Sequence, residues 1–139
     1  MKFMVIVPAN SDSEAGVMPT EQELAEMGKF NEKLVDAGMM LAGEGLHPTS
    51  NGARISYGGG TPHVVDGPFA ESKELIAGFW ILQAKSRDEV VEWMKRAPFR
   101  EGYVEIRQVF ESEDFGDALT PELREQEERL RERSAAMQK

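Results

Sequence analysis

Residues 74–97 read ELIAGFWILQAKSRDEVVEWMKRA, and the two halves of this stretch follow different periods. From 74 to 85 the run is the most apolar in the chain and carries two aromatic rings, which predicts a central strand. Ser86-Arg87-Asp88-Glu89 then places a serine at a helix start with a glutamate three residues on, a capping box. Val90, Met94 and Ala97 follow on one helical face, and Pro98 ends the pattern. A strand that turns through a cap into an amphipathic helix is half of a repeating unit. What stands on either side of it decides the fold.

Upstream, the same order recurs. KFMVIV, 2–7, is a short apolar run of strand type, and Asn10 to Gly16 is polar and small, a loop. Thr20 and Glu23 form another capping box, opening a helix over 20–37 with Leu24, Met27, Phe30 and Leu34 on one face and Gly38 as its stop. MMLAGEGLHP, 39–48, is strand-like. Gly43 and Gly45 share a face two residues apart, so something approaches the sheet closely there. Asn51-Gly52 is a turn, ARISY (53–57) and HVVD (63–66) are two strands, and Gly58-Gly59-Gly60-Thr61-Pro62 is the tip between them. Downstream, YVEIRQVF (103–110) alternates cleanly. The order is thus β-α-β, a hairpin, β-α-β, then a last helix. It predicts an α+β domain of ferredoxin-like arrangement over residues 1–112, with an inserted hairpin, and a charged helical extension over 113–139.

The chain's length of 139 residues suits one domain, and 40% hydrophobic content supplies a core. The net charge is −9, and residues 1–119 carry the whole excess, 20 acidic against 11 basic. An acidic body repels phosphate backbones, which argues against nucleic acid as a partner. With no cysteine there is no disulfide framework, and a metal would depend on two histidines and carboxylates. The apolar run in MKFMVIVPAN is too short for a signal-peptide core or a membrane span, so a cytoplasmic, membrane-free protein is expected. In the extension, Thr120-Pro121 opens a helix to about residue 136. It is charged almost all round, with a thin apolar face of Leu119, Leu123, Leu130 and Met137. Such a helix is either a solvated arm or packs on another subunit.

The corner Asp66-Gly67-Pro68-Phe69 interrupts the most strand-like region. Proline holds its own φ near −65° and keeps Gly67 extended. An Asp side chain usually takes the N–H two residues on, but that residue is Pro68, so Phe69 N–H is its expected donor.

DGPFAESKE (66–74), the GFWIL that follows, the capped helix with Trp93 and a strand carrying Ile106-Arg107-x-Val109 together resemble the YCII-related family, specifically its DGPF-motif branch. Ser72 stands where that branch commonly has Thr, and GLHPTSNGARISY (45–57) fits the family's second strand and hairpin. The resemblance spans about residues 1–110. It implies a ferredoxin-like domain of the dimeric α/β-barrel type, a homodimer whose two sheets enclose a cavity. Some relatives are thought to be enzymes acting on small aromatic or lactone-like molecules, and genes of the branch often lie beside sigma factors, which makes a sigma factor a conceivable partner. Better-known members are proposed to use a His-Asp pair with the histidine in the first helix; the helix at 20–37 contains none.

The residues available for chemistry are few. His47, at a strand end beside Pro48, and His63, after Pro62, each suit a general base near neutral pH, although a histidine at a strand end is more often a plain surface residue. Neither has local metal-ligand spacing, and no cofactor is expected. Asp66 is the favoured acid/base or the orienter of a histidine. If HVVD pairs with ARISY, Arg54 lies near it, to hold its carboxylate ionised or to bind an anionic substrate. Glu44, between apolar same-face neighbours, is expected to be partly buried with a raised pKa, or else to be an edge residue. Trp80 is a possible ligand-stacking ring, more often core. Glu71 and Lys73 read as a solvated loop. Two functions stand: a cofactor-free lyase or isomerase in which Asp66, with His47, moves a proton on a small molecule, or a ligand-binding or accessory module tied to sigma-factor regulation.

Overall fold

The computed structural model describes residues 1–70 and 74–138. Its chain divides into two compact units, Met1–Gln108 and Val109–Lys139. In the first, β1 (Lys2–Pro8) is followed by a short helix α1 (Ser11–Glu14) and by α2 (Glu21–Asp36), then β2 (Met40–Gly45). The hairpin strands β3 (Ala53–Ser56) and β4 (His63–Asp66) lead to β5 (Ile76–Gln83), α3 (Arg87–Met94) and β6 (Glu105–Gln108). Four strands make one antiparallel sheet in the order β2-β5-β1-β6, while β3 and β4 form a separate two-stranded ladder. Numbering the four main strands by their order in the chain gives 2-3-1-4, the ferredoxin-like order, with β1 and β2 running the same way on either side of β5.

Local chemistry accounts for the helices. Thr20 Oγ1 accepts from Glu23 N–H at 3.1 Å and Glu23 returns the bond to Thr20 N–H at 3.2 Å, the reciprocal box expected there. At α3 only half of the box forms: Ser86 Oγ accepts from Glu89 N–H at 3.2 Å. Gly38 ends α2 at a φ of 71°, a region that residues with a Cβ avoid. The segment 10–16, expected as a loop, contains α1, because Asn10 and Ser13 close a box of their own at 2.8 and 2.9 Å. Gly59 and Gly60, at φ of 81° and 100°, make the tip of the β3–β4 hairpin.

The pleat sorts the strand residues. Phe3 and Val5 of β1 and Trp80 and Leu82 of β5 share one face, where Phe30 and Leu34 of α2 and Val90 and Met94 of α3 cover them to make the core. Burying each of these large side chains favours folding by about 1.5–3 kcal/mol. Leu24, expected on the same helical face, is exposed, since it lies in the first turn beyond the core. On the other face the register lines up Arg107, Met4, Ile81 and Ala42 in one row and Glu105, Ile6, Phe79 and Glu44 in the next. Met4, Ile6, Phe79 and Ile81 are half-buried.

In the second unit, 3-10 turns over Ser112–Ala118 are broken at Gly116, φ 61°, and Phe110 stacks on Phe115 at 5.1 Å. Helix α4 (Pro121–Met137) starts at Thr120, whose Oγ1 accepts from Leu123 N–H at 3.3 Å, and has no buried residue. Among the described residues, no helix is long and apolar enough to cross a membrane.

Candidate functional site

Two hollows hold four of the residues singled out from sequence, Glu44 and Trp80 at one and His47 and Arg54 at the other. The first is a groove of about 340 Å³ between the helical face of the sheet and α2. Its floor includes Gly43, Gly45 and Gly78, and its walls include Trp80, Phe99, Met27 and Asn31. The paired glycines of β2 do mark a close approach: a Cβ at Gly43 would lie 3.0 Å from Trp80 Cδ1. Trp80 is 5% exposed, donates its Nε1–H to Asn31 Oδ1 at 2.9 Å, and meets Phe30 and Phe99 edge-on at 6.1 Å each. It is thus a wall of the groove held by the core, not an exposed stacking platform. Glu44 also borders the groove, but the pleat sends its side chain to the opposite face beside Phe79, and it is exposed. The partial burial expected from its apolar neighbours is absent, because β2 is the edge strand and Leu46 is itself 45% exposed.

The second hollow is a cleft of about 450 Å³ beside the hairpin. His47, Asn51, Arg54, Phe69 and Glu74 are among its lining residues. Asn51 Nδ2 lies 2.9 Å from His47 Nδ1, which anchors the ring by that nitrogen and leaves Nε2 for a ligand. The Arg54 guanidinium stacks over the Phe69 ring at 3.9 Å. His47, in the loop after β2, and Arg54, on β3, thus come to one cleft beside the hairpin.

Asp66 is placed differently from expectation. The ladder pairs Asp66 with Ala53 and Arg54 with Val65, so the side chains of Asp66 and Arg54 leave opposite faces of the hairpin. Phe69 N–H does not go to Asp66; it donates to Thr49 Oγ1 at 3.0 Å. Asp66 is exposed at the end of β4, and its cross-strand partner Ala53 is the residue that lines the cleft. His63, opposite Ser56, is exposed near the hairpin tip. Glu71 and Lys73 lie outside the described residues.

The corner is held by residues that local reading passed over. Glu14 accepts from Thr49 N–H at 3.1 Å and from Thr49 Oγ1–H at 2.5 Å, and Thr49 Oγ1 accepts in turn from Phe69 N–H. The Thr49 carbonyl sits where a Cβ on Gly67 would be, so only glycine fits at the second position of DGPF. Gly67 N–H donates to Gly52 O at 3.0 Å, and the Gly67–Pro68 bond is cis. Glu14 and Thr49 are 35 residues apart, and no spacing rule connects them. Glu74, also missed, lines the cleft itself.

These features define an α+β ferredoxin-like domain with a hairpin-bordered cleft. Residues 1–113 match the YCII-related domain, and the chain belongs to that family. An uncharacterised protein of Rhizobium meliloti (strain 1021) is 32% identical over 75 residues, 54% of this chain and 60% of that protein, so the chain spans less than two thirds of this relative. Among solved structures, 5-chloro-2-hydroxyhydroquinone dehydrochlorinase (TftG) from Burkholderia phenoliruptrix AC1100, in complex with 2,5-dihydroxybenzoquinone, is similar at a TM-score of 0.46 and 17% identity, over 82% of this chain and 98% of that one.

Proposed function

We propose that this YCII-related chain, on the strength of Asp66-Gly67-Pro68-Phe69, belongs to the DGPF-motif branch and is a homodimeric, cofactor-free enzyme of lyase or isomerase type. The observation that carries the reading is that His47, its ring anchored at Nδ1, and Arg54 line one solvent-reachable cleft. Imidazole is the side chain best matched to proton transfer near neutral pH, and a guanidinium matches a carboxylate. In this reading Arg54 holds the anionic end of a small molecule. His47 Nε2 takes a proton from the carbon beside that end, and the imidazolium returns it to a neighbouring carbon (isomerase) or to a leaving group (lyase). Asp66, exposed at the end of β4 and outside the residues that line the cleft, is given no step in this reading. The second copy seats on the sheet face bearing Met4, Ile6, Phe79 and Ile81, which no helix of the first unit covers.

The test is solvent proton exchange. Small unsaturated and 2-oxo carboxylates are incubated with the protein in deuterated buffer and followed by proton NMR. Exchange that is lost in His47→Asn and weakened in Arg54→Ala, with folding intact, is the expected result. Exchange that survives His47→Asn sinks the cleft as the active site. Binding at the cleft without exchange points instead to the non-catalytic ligand-binding or accessory role, with a sigma factor as the protein partner to assay.

A further inference from the structure

The groove between the sheet and α2 owes its floor to missing side chains. On the helical face of the sheet the register sets Val7, Gly78 and Gly45 in one row, next to the row of Val5, Trp80 and Gly43. Two of the three positions in the first row are glycine, so the floor there is bare backbone where a sheet normally presents side chains. Packing explains one of these glycines and not the other. A Cβ on Gly78 would come within 2.8 Å of the Glu44 carbonyl oxygen, whereas a Cβ on Gly45 would meet nothing within 4 Å. Gly45 has no positive φ to require glycine either. What the missing side chain at 45 provides is space in the groove.

The wall supplies one polar group whose orientation is fixed. An indole nitrogen can only donate, so Asn31 turns Oδ1 to Trp80, at 2.9 Å, and Nδ2 away from it. Nδ2 has no hydrogen-bond partner among the described residues, and it is not sealed from solvent. The rest of the lining is apolar or glycine, apart from Glu44, whose side chain leaves by the other face. Among the described residues no cation lines the groove to hold an anion, and the chain's net charge of −9 repels one. The volume of about 340 Å³ lies at the lower end of the range of about 300–1,000 Å³ usual for small-molecule sites, which are apolar with a few placed polar groups.

We infer that this groove is a second binding site, for a neutral, flat, apolar molecule of one or two rings that bears a carbonyl oxygen. The ring lies on the Gly45–Gly78 floor against Trp80, Met27 and Phe99, and its oxygen accepts from Asn31 Nδ2. The groove shares no lining residue with the cleft of His47 and Arg54, so the site stands or falls separately from the activity proposed there.

The chain has two tryptophans, and only Trp80 lines the groove. Their indole N–H signals are followed by nitrogen–proton correlation NMR while the full chain is titrated with 1-indanone, a neutral bicyclic ketone, or with indane, the same skeleton without the oxygen. The expected result is a saturable shift at Trp80 and none at Trp93, with indane binding about tenfold more weakly. Gly45→Leu, whose side chain fills the floor, should abolish the saturable shift while circular dichroism shows the fold retained. Asn31→Asp keeps an acceptor for Trp80 but loses the donor, so the advantage of 1-indanone over indane should disappear. A saturable shift that survives Gly45→Leu, or the absence of one at Trp80 with millimolar 1-indanone, overturns the site. An advantage unchanged in Asn31→Asp overturns the role of Nδ2 and with it the carbonyl-bearing class of ligand.

Discussion

Replacing Thr49 with valine removes one oxygen of nearly equal size and tests what holds the DGPF corner. Two hydrogen bonds disappear: Thr49 Oγ1–H to the Glu14 carboxylate at 2.5 Å, and Phe69 N–H to Thr49 Oγ1 at 3.0 Å. A bond to a charged group contributes about 1.5–3 kcal/mol net and a neutral one about 1 kcal/mol. Both sites are part-buried, so water replaces some of what is lost, and the main-chain bond from Thr49 N–H to Glu14 survives. The expected loss is about 2–3 kcal/mol. For a chain of this size that lowers Tm by about 6–15 °C. Urea and thermal unfolding followed by circular dichroism measure it, and a cycle with Glu14→Gln measures the coupling. The two single changes should sum to more than the double, because they remove the same bond. A loss under about 0.5 kcal/mol, or strict additivity in the cycle, would refute the claim that this chain of bonds secures the corner.

Gly67→Ala should destabilise by about 1–3 kcal/mol or prevent folding, since its Cβ overlaps the Thr49 carbonyl; chemical denaturation decides, and a neutral effect would mean that the corner moves freely. Leu82→Ala, at a fully buried position, should cost about 2–5 kcal/mol by the same measurement, whereas Leu123→Ala on exposed α4 should leave the unfolding of the first unit unchanged. Trp80→Phe keeps most of the ring but strands Asn31 Oδ1, with an expected loss of about 1–2 kcal/mol. Glu92 should titrate below its ordinary value, because Lys95 Nζ hydrogen-bonds it at 2.8 Å and adds its charge, while Lys95 is held above its own. A folded-state pKa below the unfolded one means that Glu92's contribution is present above the unfolded value and fades as pH falls through the lowered one. Lys95→Ala should return the carboxyl to its usual range in an NMR titration.

Short-range chemistry was open to reading along the chain. The Thr20–Glu23 box, the Gly38 stop, the glycine tip at 58–60 and the alternation of Val104 and Ile106 against Glu105 and Arg107 each depend on neighbours within a few residues, and each is found. The order of strands and helices limited the topology to few choices, and β2-β5-β1-β6 is the ferredoxin-like one. The pairing of ARISY with HVVD held, but finer readings that needed particular partners from distant segments did not. Asp66 and Arg54 are close in the hairpin, yet a shift of one position in register put them on opposite faces. Phe69 N–H found Thr49, 20 residues back, and Thr49 found Glu14, 35 residues back, because packing of the corner against the 47–52 loop chose those partners. Glu44 sits out in solvent because β2 is an edge strand, which depends on what lies beside it. Period and capping are properties of a few successive residues, so the sequence by itself settles them for this protein. Register, edge position and the meeting of His47 with Arg54 depend on contacts closed over long loops, and only the folded chain decides those.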